Sequence, residues 1–196
     1  MTVARLANAV LAAPPRLGRV RVVAVDGPSG AGKSTLAGLL VAELRHRGHR
    51  VALISTDHFA TWDDPVSWWP RLAEGVLDPL GRGETGAYRK LDWTTGVPEP
   101  GELVSVAPPE VLVLEGVSSG RRSFRASLSV LCWVPGPAEP ARLERAVQRD
   151  GEASRERLHE WQTFERGWFA VDLPATDLTP NGLVLSAQNG HEIDVP

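Results

Sequence analysis

Residues 27–35 read Gly-Pro-Ser-Gly-Ala-Gly-Lys-Ser-Thr, an order of residue types suited to holding a chain of phosphates. Gly27, Gly30 and Gly32 let the backbone wrap closely round an anion, so that successive N–H groups turn toward phosphate oxygens. Pro28, Ser29 and Ala31 fill the variable positions of this loop. Lys33 supplies a mobile positive charge, expected to face solvent before a nucleotide binds. Ser34 can place its hydroxyl on a Mg²⁺ ion, and Thr35 is a secondary hydroxyl donor. The apolar run Val20–Val25 precedes the loop and the helical pattern Leu36–Leu44 follows it. This strand–loop–helix setting leaves little room for the bland reading, a glycine-rich turn with a solvated lysine.

Moving a phosphoryl group also requires a proton acceptor and charge to neutralise the spreading negative charge. Asp57, just past the apolar run 51–54, is placed to accept a proton from an acceptor hydroxyl; the alternative for such a residue is a helix cap. Glu115 ends the run Val111–Leu114, where a carboxylate would hold Mg²⁺ directly or through water, although a strand-end glutamate has innocent uses too. His58 adjoins Asp57 and could orient it, although a single histidine is more often structural. Arg142, Arg145 and Arg149 fall on one helix face. The helix breaks at Asp150-Gly151-Glu152-Ala153-Ser154, and Arg155 and Arg157 begin the next one. Such a break describes a lid at about 149–157 whose Arg149, Arg155 and Arg157 would face phosphates. A solvated face paired to Glu139, Glu144 or Glu156 is the competing reading.

Apolar runs at 20–25, 51–54, 111–114 and 129–134, with a weaker one at 183–186, alternate with helical patterns. That alternation predicts an α/β fold, a three-layer sandwich with a central parallel sheet and its chemistry at the carboxyl ends of the strands. The 196 residues suit one domain spanning 1–196. The spacing of Val3, Leu6, Val10 and Leu11 predicts a short amphipathic helix packed on that domain. The stretch 60–109 carries seven prolines and four of the seven tryptophans, Trp62, Trp68, Trp69 and Trp93. Long helices or strands are not expected there. We read it as an acceptor-binding flap over the sheet end, in which some of these tryptophans with Tyr88 face the acceptor, or else as a satellite core.

Net charge is −3, with arginines interleaved among acids, which argues against a nucleic-acid polymer as partner. No apolar stretch approaches the ~20 residues that a bilayer requires, and no secretory leader is recognisable, so a cytoplasmic chain without membrane association is expected. The single cysteine, Cys132, lies in an apolar run and reads as a core thiol. Oligomeric state is left open.

The phosphate loop, the segment Ser55-Thr-Asp-His-Phe59, the strand Val111–Glu115 and the helix Ala141–Asp150 together resemble the uridine kinase family, related to phosphoribulokinase and bacterial pantothenate kinase. Trp161-Gln-Thr-Phe164 is similar to the aromatic-x-Thr-Phe segment that follows the lid in that family. The resemblance implies an ATP or GTP donor, Mg²⁺, a nucleoside-like hydroxyl acceptor, and Asp57 as base. It also implies Arg149 with Arg155 or Arg157 near the phosphates, and Tyr88 loosely matches the tyrosine before the acceptor-facing segment; Phe59 and Trp62, close after Asp57, are the other acceptor-side candidates. Departures fall mainly on the acceptor side. Phe59 is followed by Ala60 rather than tyrosine, the fourth strand ends in Val134-Pro135 rather than Val-Asp, and Glu160 stands where a glutamine is usual. A sugar, a vitamin precursor or an antibiotic is therefore an alternative acceptor. A regulatory nucleotide hydrolase is a second class, although no Asn-Lys-x-Asp guanine-reading segment occurs.

Overall fold

The computed structural model describes residues 2–172 and three short strands at 182–184, 186–188 and 192–194. Four apolar runs become β1 (Arg21–Asp26), β2 (Val51–Ser55), β5 (Val111–Glu115) and β6 (Val130–Trp133), and β7 (Gly182–Val184) joins them. They form one parallel sheet in the order β2-β5-β1-β6-β7. The register sets Val25 beside Glu115, Ser55 beside Glu115, and Asp26 beside Trp133. The carboxyl ends of β1, β2 and β5, with Asp26, Ser55 and Glu115, thus lie at one edge.

Alternation along the strands divides the core into two. Val23, Val25, Val111, Val113 and Cys132 face α1 (Val3–Ala12) and α2 (Lys33–His46), packing on Leu6, Val10, Leu40 and Leu44. The N-terminal helix is therefore docked as its spacing predicts, with Thr2 accepting the Arg5 N–H as a cap. The Cys132 thiol is fully enclosed, and burial pushes its pKa up. Val22, Ala24, Leu112, Leu114 and Leu131 face the other way. That second layer is built largely by the stretch from which long elements were not expected. It contains α3 (Trp69–Leu72), a π turn (Ala73–Leu77) and α4 (Asp78–Gly81) in one helical run. An antiparallel hairpin of β3 (Gly86–Asp92) and β4 (Glu99–Val106) follows.

The expectation failed because it treated each proline as a breaker. Pro70 sits in a first turn, where its missing N–H costs nothing, and Pro79 falls where the bonding switches from π to α register. Leu72, Val76 and Leu80 from this run are buried against the sheet, so the segment covers a sheet face as well as reaching the sheet end.

Past β6, α5 (Glu139–Asp150) and α6 (Arg155–Asp172) are joined by one turn of 3₁₀ helix at Glu152–Ser154. β8 (Ser186–Gln188) and β9 (Glu192–Asp194) pair with each other. No described helix is long and apolar enough to cross a membrane.

Candidate functional site

The phosphate loop runs between the end of β1 and the start of α2. Gly32 caps α2 with φ +97°, a left-handed conformation that favours glycine. Gly30 is required by a neighbour: a Cβ there would lie 2.3 Å from the Arg142 carbonyl oxygen, so α5 presses directly on the loop. Lys33 does not face solvent as expected. It is buried, and Nζ donates to the Pro28 carbonyl at 2.9 Å, because an ammonium folded over a tight loop finds a backbone acceptor within its own reach. Thr35 is exposed on the next turn.

Ser34 Oγ donates to Glu115 Oε2 at 3.1 Å. Glu115 is buried, and desolvation raises its pKa in spite of hydrogen bonds from Ser55 and Ser34 and of nearby Lys33. A divalent cation between this hydroxyl and carboxylate would offset the desolvation. No group of three or more His, Cys, Asp or Glu side chains among the described residues could hold a metal. That donor set fits Mg²⁺, which keeps water and phosphate oxygens in most of its positions.

Asp57 follows β2 in a single 3₁₀ turn, Thr56–His58, whose cap is Ser55, the acceptor for the Asp57 N–H. The capping alternative for the Asp57 side chain therefore falls. Its carboxylate is exposed and faces a cavity of about 520 Å³. Around that cavity stand Ser29 of the phosphate loop, Trp62 and Trp93, Arg149 and Asp150 at the end of α5, and Trp161 of α6. Trp62 meets Trp93 edge-on at 5.4 Å and Trp161 at 6.0 Å, which makes three aromatic walls. Trp93 also donates its indole N–H to the Asp57 carbonyl at 3.1 Å, tying the hairpin tip to the second strand end. Arg149 is paired with Asp150, and this hydrogen-bonded partner, with Asp57 and Glu115 nearby, raises its pKa.

Other expected site residues lie elsewhere. Phe59 is buried and stacks on Trp68 and Tyr88, because the turn that exposes Asp57 points the next-but-one side chain inward. Tyr88 is buried too, and its hydroxyl lies 2.8 Å from His58 Nδ1. Burial pushes the Tyr88 phenol up to about 12 and lowers the His58 pKa. His58 therefore supports Tyr88 rather than orienting Asp57. Arg155 is engaged by Glu144 and Glu152, the first of them a partner named in the ion-pair alternative of the sequence reading. Arg157 lies 5.9 Å over Trp62 and lines an adjoining groove instead of the cavity.

Two carboxylates escaped the sequence reading. Asp26, fully buried at the end of β1, accepts N–H bonds from Gly27, Ser118 and Gly120, so it fixes the start of the phosphate loop to the loop after β5. Burial pushes its pKa up to about 6, against those backbone bonds and nearby Lys33. An acid closing an otherwise apolar strand was its available signal. Glu165, also buried, accepts from Ser29 and Trp161. Only its spacing of four from Trp161 hinted at this.

The profile of the methylmalonyl-CoA mutase-associated GTPase MeaB matches residues 4–63, from α1 through the phosphate loop to just past Asp57. No curated protein matches the chain. A protein described as a possible uridine kinase, from Bacillus stearothermophilus, is 18% identical over 92% of this chain and 96% of its own, with a TM-score of 0.65. A candidate fructose transport system kinase from Silicibacter sp. TM1040 is 22% identical over 96% and 100%, with a TM-score of 0.68. D-glycerate 3-kinase from Cryptococcus neoformans is 16% identical over 97% of each chain, with a TM-score of 0.69. The fold is that of P-loop kinases. The compounds named in these three descriptions differ, and the likeness carries the fold alone.

Proposed function

We propose that this protein is an ATP-dependent small-molecule kinase that transfers the γ-phosphoryl group to a hydroxyl of a nucleoside-like acceptor. The observation that carries this reading is the cavity itself. It joins the phosphate loop, at Ser29, to an exposed carboxylate, Asp57, and to an aromatic enclosure of about 520 Å³. A hydrolase or a switch needs room for one water, whereas this space suits a whole small molecule. Three indole walls offer large contact area to a flat ring at low entropic cost.

In this mechanism the loop backbone and Lys33 hold the β- and γ-phosphates. Ser34 and Glu115 would hold Mg²⁺, which would supply neutralisation of the phosphate charge when bound. The acceptor hydroxyl lies beside Asp57 and its oxygen forms the new bond to the γ-phosphorus. The bond from that phosphorus to the bridging oxygen breaks, ADP leaves, and the hydroxyl proton passes to the Asp57 carboxylate. Arg149 swings from Asp150 to the transferring group, and lid residues 149–157 exclude water. Trp62, Trp93 and Trp161 take the acceptor ring. Phe59 and Tyr88 belong to the core layer against which Trp161 packs.

The MeaB match supports a second reading, a GTP-dependent hydrolase. One experiment separates the two: ADP or GDP release with either nucleotide, alone and with a panel of nucleosides, sugars, sugar acids, vitamin precursors and hydroxylated antibiotics. We expect negligible release without an acceptor and strong stimulation by a compound carrying both a flat ring and a hydroxyl. GTP hydrolysis at one rate with every compound would establish the second reading. Stimulation by a flexible sugar or glycerate alone would move the acceptor class.

A further inference from the structure

Glu165 is 1% exposed, and all its hydrogen-bond partners belong to the proposed site. Ser29 N–H donates to Oε1 and Oε2 at 2.9 and 3.1 Å, and Ser29 Oγ donates to Oε1 at 2.5 Å. The Trp161 indole N–H donates to the same Oε1 at 2.7 Å. Enclosing a carboxylate costs several kcal/mol unless it is fully bonded, and no Lys or Arg side chain among the described residues bonds this one. Holding α6 in place does not require that cost. Leu158 and Gln162 are already buried, Arg166 pairs with Glu139 on α5, and Asp172 pairs with Arg125.

The position of Ser29 gives the contact its meaning. Lys33 Nζ reaches the neighbouring Pro28 carbonyl, so Ser29 borders the space where that ammonium meets the terminal phosphates. Ser29 also lines the acceptor cavity. Trp161, on the other side of Glu165, forms a wall of the same cavity and packs on Trp62. Trp62 packs on Trp93, and Trp93 bonds the Asp57 carbonyl. Glu165 is the link that closes this circuit between donor loop and acceptor wall.

We infer that Glu165 is a positioning residue that couples the phosphate loop to the tryptophan wall, so that nucleotide binding at Ser29 is transmitted to Trp161 through one shared carboxylate. The inference rests on the phosphoryl-transfer reading above, and its test needs no acceptor. Mg²⁺ with the β,γ-imido analogues of ATP and GTP, run in parallel, is titrated into the wild type, Trp161→Phe, Glu165→Gln and Glu165→Ala. Tryptophan emission reports the wall, and calorimetry reports affinity.

In the wild type, the bound analogue is expected to change the emission, and Trp161→Phe should remove most of that change. Glu165→Ala should remove it as well while affinity stays within about threefold, and Glu165→Gln, which keeps one acceptor oxygen, should fall between. A purely structural glutamate would lower unfolding stability and leave the Trp161 signal intact. A full Trp161-dependent change in Glu165→Ala, or a full change in Trp161→Phe, overturns the coupling. If Glu165→Ala fails to fold, the same criterion applies to Glu165→Gln. A wild type that binds neither analogue defeats the phosphoryl-transfer reading first, and the coupling with it.

Discussion

Two groups of three tryptophans end up doing opposite things. Trp68, Trp69 and Trp168 surround the Arg121 guanidinium at 5.6, 4.4 and 5.2 Å, and Arg121 also donates to the Val66 carbonyl. Trp68 is 1% exposed and bonds the Pro65 carbonyl through its indole N–H. This group is filled, with a cation where a ligand would otherwise sit. Its enclosure lowers the Arg121 pKa to about 10. Trp62, Trp93 and Trp161 form an equally aromatic surface round an open space bordered by Asp57 and Arg149. Aromatic content alone therefore does not mark a binding site. What separates a core from a pocket is whether the protein's own side chains occupy the middle.

That contrast breaks most sharply through paired substitutions. The largest expected effect is that of Asp57→Asn, which keeps the shape of the exposed side chain and removes its capacity to take a proton. Turnover should fall about 10²–10⁴-fold with nucleotide affinity and melting temperature unchanged, measured by steady-state kinetics and calorimetry. Full turnover at saturating acceptor would take the base away from the open region altogether.

On the filled side, Trp68→Ala leaves a cavity beside Phe59 and strips Arg121 of part of its cover. Denaturant unfolding should show a loss of about 3–5 kcal/mol, with the KM values of the surviving folded protein unchanged. A selective rise in acceptor KM would instead extend the pocket into this group.

The smallest effect sharpens the comparison most. Trp62→Ala should raise the acceptor KM about tenfold, worth ~1.4 kcal/mol, while leaving the nucleotide KM alone. Equal changes in both constants would make the open group a second, looser core.

The sequence alone determined the sheet, the phosphate loop, and the placing of Asp57 and Glu115 at strand ends. These are local consequences: apolar runs of strand length, glycines where φ must be positive, and a strand followed by a helix. It also placed Arg149 beside the break between two helices, where α5 ends. It could not tell Arg149 from Arg155, because both are arginines flanking one helix break, and only the packing of α5 on α6 turns Arg155 toward Glu144. It named Trp62 for the acceptor side, but gave no physical ground for excluding Trp68, six residues further on, from the same role.

Tertiary structure alone decided which tryptophans enclose Arg121 and which enclose a cavity. It alone showed that the prolines of 60–109 punctuate real elements, and that Glu165 meets Ser29 across 136 residues of chain. The physical reason is common to all three. Helix and strand periodicities are written in neighbouring residues, whereas a cavity, a filled cage and a shared carboxylate exist only where distant surfaces meet, and no local pattern encodes what lies opposite.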